Sequence, residues 1–234
     1  MGVHYGVRPS GNNPSYFTGG LVLYLDAGNS ESYSGTGATW SDLSGNGNTG
    51  TLTNAPIYNS ANNGFFQFVT DDFAAIPNNV ALDTQTPTVE VWVKTNATSQ
   101  NGFWFEKGTV NSQYSLFQEG ASIQWRMNIG GSITNLSTTT ATYMNTSNWY
   151  QVVGTYTSGT RRLYINGVLV NSDTQTGTIA TNGGGMSIGV YGGFNGSRGY
   201  YYNGNLSSCK VYNRELTQQQ IQQNFNATRS RYGI

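Results

Sequence analysis

The chain has 234 residues, with 11 basic against 11 acidic side chains, so its formal net charge is zero. Charged residues are only 9% of it, and no run of Lys or Arg exists to track a phosphate backbone, which argues against a nucleic-acid partner. The 31 glycines, with abundant Asn, Ser and Thr, suit many short strands joined by turns and give little support to long helices.

Residues 1–18 read as an extended arm, rich in Gly, Asn and Pro, with scattered Tyr5, Arg8, Tyr16 and Phe17. Such a segment is either disordered or ordered by a partner, and its aromatic residues favour the second, a docking arm. The arm holds no apolar core of a signal peptide and no stretch of the chain reaches membrane-spanning length, so neither Sec export nor membrane anchorage is expected. Residues 19–234 then form one domain. GLVLYLD at 20–26 is a strand, with Leu21, Leu23 and Leu25 alternating against Val22, Tyr24 and Asp26. A Gly- and Asn-dense stretch from Ala27 to Pro56 reads as loops plugged by Trp40 and Leu43. Strands follow at 65–69 and 74–76.

TVEVWVKT at 88–95 is a strong strand, with Val89, Val91 and Val93 on a dry face and Glu90, Trp92 and Lys94 on a face expected to be wet. Further strands are predicted at 102–107, 114–118, 123–129 and 132–136. The least ambiguous signal is the hairpin inside WYQVVGTYTSGTRRLYINGVLVN (149–171). Asn166-Gly167 accepts the positive φ angles of a type I′ turn. The expected register sets Ile165 opposite Val168, Tyr164 opposite Leu169, Leu163 opposite Val170 and Arg162 opposite Asn171. Leu163, Ile165, Val168 and Val170 would then form a dry face. A sheet with a dry face needs a second layer, which points to a β-sandwich. After strands at 186–191 and 204–212, the latter with Leu206, Ser208, Lys210 and Tyr212 on one face, comes a short helix near 217–227. Thr217 and Gln220 fit a capping box, and Leu216 and Ile221 a hydrophobic staple. Cys209 is the only cysteine and reads as a small buried hydrophobe.

The order of VEVWVK, FEKG (105–108), LYINGVLV, SIGVY (187–191) and YNGNLSSCKVYNREL (202–216) is similar to the laminin-G-like, concanavalin-A-like jelly-roll superfamily. The resemblance covers roughly residues 20–228 and implies two antiparallel sheets. The openings GLVLYLDAGN and WSDLSGNGNTGTLTN resemble structural proteins of tailed-bacteriophage virions. That likeness implies a virion protein, a capsid decoration or a tail or fibre component present in many copies, docked on other virion proteins by its arm and made in the host cytoplasm. A free carbohydrate-binding module adhering to cell-surface glycans is the alternative. Members of the superfamily often carry an acidic residue where this chain has Ser207-Ser208, so any role of that acid is not carried over.

Glycoside hydrolysis ordinarily needs a pair of carboxyl groups across the bond. No Glu-x-Glu or Glu-x-Asp pair stands on a strand, and the sole histidine, His4, lies in the arm, so enzymatic activity is not expected. No cofactor is required, although Asp26, Asp42, Asn46 and Asn48 are oxygen donors on loops that a structural calcium could use. Sugar recognition would use aromatic faces with hydrogen-bonding neighbours. The candidates are Trp92, Trp125 and Tyr164 on a wet sheet face, and Tyr191, Phe194, Arg198, Tyr200, Tyr201 and Tyr202 in YGGFNGSRGYYY (191–202).

Overall fold

The computed structural model describes residues 15–109, 112–192 and 198–234. Its strands are β1 (Leu21–Asp26), β2 (Thr39–Trp40), β3 (Gly50–Thr53), β4 (Ile57–Asn59), β5 (Phe65–Phe68), β6 (Phe73–Ile76), β7 (Thr88–Thr95) and β8 (Gly102–Lys107). They continue as β9 (Tyr114–Glu119), β10 (Ser122–Ile129), β11 (Ser132–Thr139), β12 (Tyr150–Thr157), β13 (Thr160–Ile165), β14 (Val168–Asp173), β15 (Met186–Ile188) and β16 (Gly204–Tyr212). A helical turn α1 (Thr140–Tyr143) follows β11, and helix α2 (Gln218–Thr228) runs into a 3-10 turn, Arg229–Tyr232.

All pairings are antiparallel, and they build two sheets. The first, sheet A, has the order β14-β13-β12-β7-β16-β5-β4, with β1 beside β5 on the same edge of β16; the second, sheet B, runs β11-β10-β9-β8-β15-β6-β3-β2. This is the jelly-roll sandwich. Its core is the set of side chains that alternation turns inward: Leu23 and Leu25, Val89, Val91 and Val93, and Ile123, Trp125 and Met127. Gly154 of β12 lies under the Trp125 indole, where a Cβ would stand 2.4 Å from Cδ2; the two layers approach this closely because that position has no side chain.

The hairpin has positive φ at both Asn166 (51°) and Gly167 (77°), as a type I′ turn requires. Ile165 faces Val168 and Tyr164 faces Leu169 as expected, but Leu163 then faces Asn171, because a bulge at Val170 shifts the register. β14 is an edge strand, so Val168 is 58% exposed, while Val170, half-buried, still packs on the core with Leu163 and Ile165. A second bulge, at Ser207, turns Leu206 into the core with Cys209 and Val211, whereas unbroken alternation puts it with Lys210 and Tyr212. The loop-rich reading of residues 27–56 overlooked β2 and β3, which extend sheet B; Trp40 is fully buried there, as expected.

The largest departure concerns the outer face of sheet A, which is not wet. Helix α2 begins with the expected capping box: Gln220 N donates to Thr217 Oγ1 (3.3 Å) and Thr217 N donates to Gln220 Oε1 (3.0 Å). The helix then lays its apolar stripe over the sheet. Ile221 and Leu216 cover Val153, Tyr164 and Tyr212. Phe225 and Tyr232 stack on Trp92, with ring centroids at 5.9 and 4.0 Å. Trp92 and Tyr164 are therefore buried under a helix. Trp125 is buried in the central core, its indole N–H donating to Thr155 O at 3.0 Å.

Candidate functional site

Of the two outer faces, that of sheet B carries Tyr200, at 55% exposure a ring standing out in water. The geometry of this face starts from a bulge in β8 at Phe103–Phe105, which sends both Trp104 and Phe105 into the core. Phe103 and Glu106, three residues apart, consequently share the outer face. A transverse row there runs Ser187, Glu106, Ser115, Arg126, Asn135, each residue in register with the next across β15, β8, β9, β10 and β11. Beside it Phe103 stacks on Phe117 at 4.1 Å, with planes 7° apart. The Arg126 guanidinium lies 4.4 Å from the Phe117 ring and donates to Asn135 Oδ1 at 3.1 Å.

Residues 191–192 and 198–200, between β15 and β16, lie over this plate. Tyr191 and Gly199 form a β-bridge, Tyr191 N donating to Gly199 O (3.0 Å) and Gly199 N to Tyr191 O (3.2 Å). Phe103 N then donates to Tyr200 O at 3.2 Å. Tyr191 packs on Phe103 at 5.0 Å, and Tyr200 lies 6.4 Å from Phe103 and 6.1 Å from Tyr191. Tyr200 has φ of 51° and remains 55% exposed. A bulky residue in that conformation is strained, and its ring stands in water above a stack of buried ones. Arg198, exposed, lies over the Phe73 ring at 4.6 Å.

Under these residues Glu106 is fully buried. One oxygen accepts from Ser112 Oγ at 2.5 Å; the other accepts from Gly192 N and, at 3.4 Å, from Ser187 Oγ. Burial pushes its carboxyl up to about 7, against the opposing pull of those donors and of Arg126.

Among the residues picked out from the sequence, the structure brings together Tyr191, Arg198 and Tyr200 on this face. Tyr201 is half-buried, and Tyr202 is a core plug whose hydroxyl donates to Lys94 O at 3.0 Å. Phe194, Tyr5 and Arg8 lie outside the described residues. Tyr16 and Phe17 pack on their own domain: Tyr16 meets Tyr24 edge-on at 5.1 Å, and Phe17 N donates to Asn224 Oδ1 at 2.8 Å. Of the loop side chains considered for calcium, the two carboxylates accept from protein donors. Asp26 pairs with Arg231 at 2.7 Å. Asp42 accepts from Tyr24 N, Ser44 N and Asn48 N at 2.9 Å and from Ser44 Oγ at 2.7 Å. Asn46 and Asn48 donate to Leu21 O and Val22 O, at 3.3 and 2.7 Å.

Phe103, Phe117, Arg126 and Glu106 were missed as site residues. Two depressions lie elsewhere: one of about 340 Å³ between Tyr164, Leu169 and the start of α2, and one of about 440 Å³ beside Tyr33 and Tyr58. Neither displays an exposed ring beside a cation.

A two-sheet jelly roll with an aromatic, cationic plate on one face is a lectin-like architecture. The chain belongs to the concanavalin A-like lectin/glucanases superfamily, whose family model matches residues 68–222. No curated protein matches the sequence. Among solved structures it is similar to the binding domain of botulinum neurotoxin serotype D (TM-score 0.67, 17% identity, 89% of this chain and 52% of that one). It is similar too to the receptor binding domain of the C/D mosaic serotype (0.69, 17%, 89% and 51%) and to the binding domain of Paraclostridial Mosquitocidal Protein 1 (0.69, 16%, 89% and 52%). The chain spans about half the length of these structures, and at such identity the likeness is one of fold.

Proposed function

We propose that the chain is a non-enzymatic glycan-binding module whose contact surface is the outer face of sheet B. The observation that carries this reading is Tyr200, an exposed ring held at a strained backbone angle over the Phe103–Phe117 stack, with Arg126 and Arg198 on the same face. A flat ring supplies C–H stacking and the guanidinium groups supply hydrogen bonds. Among the structural neighbours, a botulinum neurotoxin DC binding domain was solved in complex with SialylT and another with rat synaptotagmin II; both fit a fold used for surface recognition. Placement on a tailed-phage particle, as capsid decoration or tail component, rests on the resemblance of the opening segments alone. Attachment to a surface glycan is common to both readings.

A glycan array followed by titration tests the proposal. Saturable binding is expected, weakened roughly tenfold or more by Tyr200→Ala, the equivalent of about 1.4 kcal/mol. Absence of binding by folded protein, or binding indifferent to Tyr200→Ala and Arg126→Ala, overturns it.

A further inference from the structure

Beneath α2, on the opposite side of the sandwich, three reactive groups share one buried site. Lys210 of β16 and Glu90 of β7 are cross-strand neighbours, both 1% exposed, with Nζ 2.9 Å from Oε1. The other oxygen of Glu90 accepts from Nδ2 of Asn224, a fully buried residue of α2, at 2.7 Å. The carboxamide has a fixed orientation. Its Oδ1 accepts from the Phe17 backbone N–H at 2.8 Å, and Nδ2 also donates to Tyr212 Oη at 2.9 Å. The Tyr16 and Tyr24 rings flank the amine at 5.3 and 5.0 Å. An ion pair buried to this depth contributes little net stability, since desolvation offsets the Coulombic gain.

We propose that Lys210 and Asn224 condense to an intramolecular isopeptide bond, with Glu90 as the acid–base residue. The arrangement supplies each part of an acyl transfer: an amine nucleophile, a carboxamide electrophile whose oxygen faces a backbone donor, and a leaving nitrogen that faces the acid. Glu90 takes a proton from the Lys210 ammonium, and the amine attacks Cγ of Asn224. The Phe17 N–H stabilises the oxyanion that forms on Oδ1. A proton then passes by way of Glu90 to Nδ2, the Cγ–Nδ2 bond breaks, and ammonia leaves as the Nζ–Cγ amide is completed. Of the three ammonium hydrogens, one stays on the new amide, one departs with ammonia and one remains on Glu90. The buried ion pair becomes a neutral acid beside a neutral amide, and no oxidant, metal or co-reactant is consumed.

Mass spectrometry of the intact, folded chain tests this. The expected mass is one ammonia below that of the sequence, and a tryptic map should show the Lys210 and Asn224 peptides joined, with no cleavage after Lys210. Glu90→Gln and Asn224→Ala should each restore the full mass. A wild-type chain at the full sequence mass overturns the proposal whether or not the variants fold. So does an ammonia loss that maps instead to a succinimide at an Asn-Gly step such as Asn166-Gly167.

Discussion

Trp92 of β7 and Tyr232, near the end of the chain, lie ring on ring, their centroids 4.0 Å apart and their planes 19° from parallel. This contact makes a second core of what would otherwise be the outer surface of sheet A. Removing the indole leaves a cavity between strand and helix. Trp92→Ala is expected to cost about 3–5 kcal/mol in stability, read by urea unfolding. Glycan affinity per folded molecule should be unchanged, because the proposed contact surface is on the other sheet.

Tyr200 makes the opposite prediction. Its positive φ is better suited to Gly or Asn than to a bulky aromatic residue. Tyr200→Asn should therefore leave stability within about 1 kcal/mol of wild type, since strain is relieved as the ring contacts are lost. Affinity for the glycan should still fall. Unfolding and titration curves recorded on one preparation separate the two effects.

Glu106 predicts a pH dependence of definite sign. Its carboxyl is raised from 4.5 to about 7 in the folded protein, with burial as the main cause. The folded state thus binds this proton more tightly than the unfolded chain does. The contribution is fully present below about pH 4.5 and is lost as pH rises through 7, with a slope approaching roughly 1.4 kcal/mol per unit. Urea midpoints across that window should fall with pH in wild type. In Glu106→Gln that component should be missing; an unchanged slope would contradict the assignment.

Arg161 is the clamp at the sandwich edge. It donates to Asp173 through Nε and Nη2 (3.1 and 2.6 Å) and through Nη1 to Trp125 O and Thr134 O (3.2 and 2.9 Å), tying β13 of sheet A to β10 and β11 of sheet B. Arg161→Ala should destabilise by about 3 kcal/mol, because carbonyls and a carboxylate lose their partner together. Arg161→Lys should recover only part of this, since an ammonium cannot reproduce the planar fork. Equal stability of the Lys variant and wild type would refute that reading.

Much of the fold was legible because it depends on local pattern. The valines of β7, the Asn166-Gly167 turn and the Thr217 capping box each specify their element without long-range information. The outer faces were not legible in the same way. Trp92 sits between Glu90 and Lys94 in sequence, which suggests water, yet a helix more than a hundred residues downstream covers it. Trp125 is different: Ile123, Met127 and Ile129 alternate with it, so its place in the core was already implied by the period of two. The site residues Phe103 and Glu106 share a face only because β8 carries a bulge, and no composition or turn signal marks that bulge.

The cover over sheet A also sets how the molecule can be displayed. Ser15 is held by Gln223 at 2.7 Å, and Arg231, close to the last residue, reaches Asp26 at 2.7 Å; both contacts lie on the helix side of the sandwich. A copy held from the helix side is thus fixed by its back. Its aromatic plate points away from the anchor, the orientation in which an immobilised layer of such molecules stays competent to capture ligand from solution.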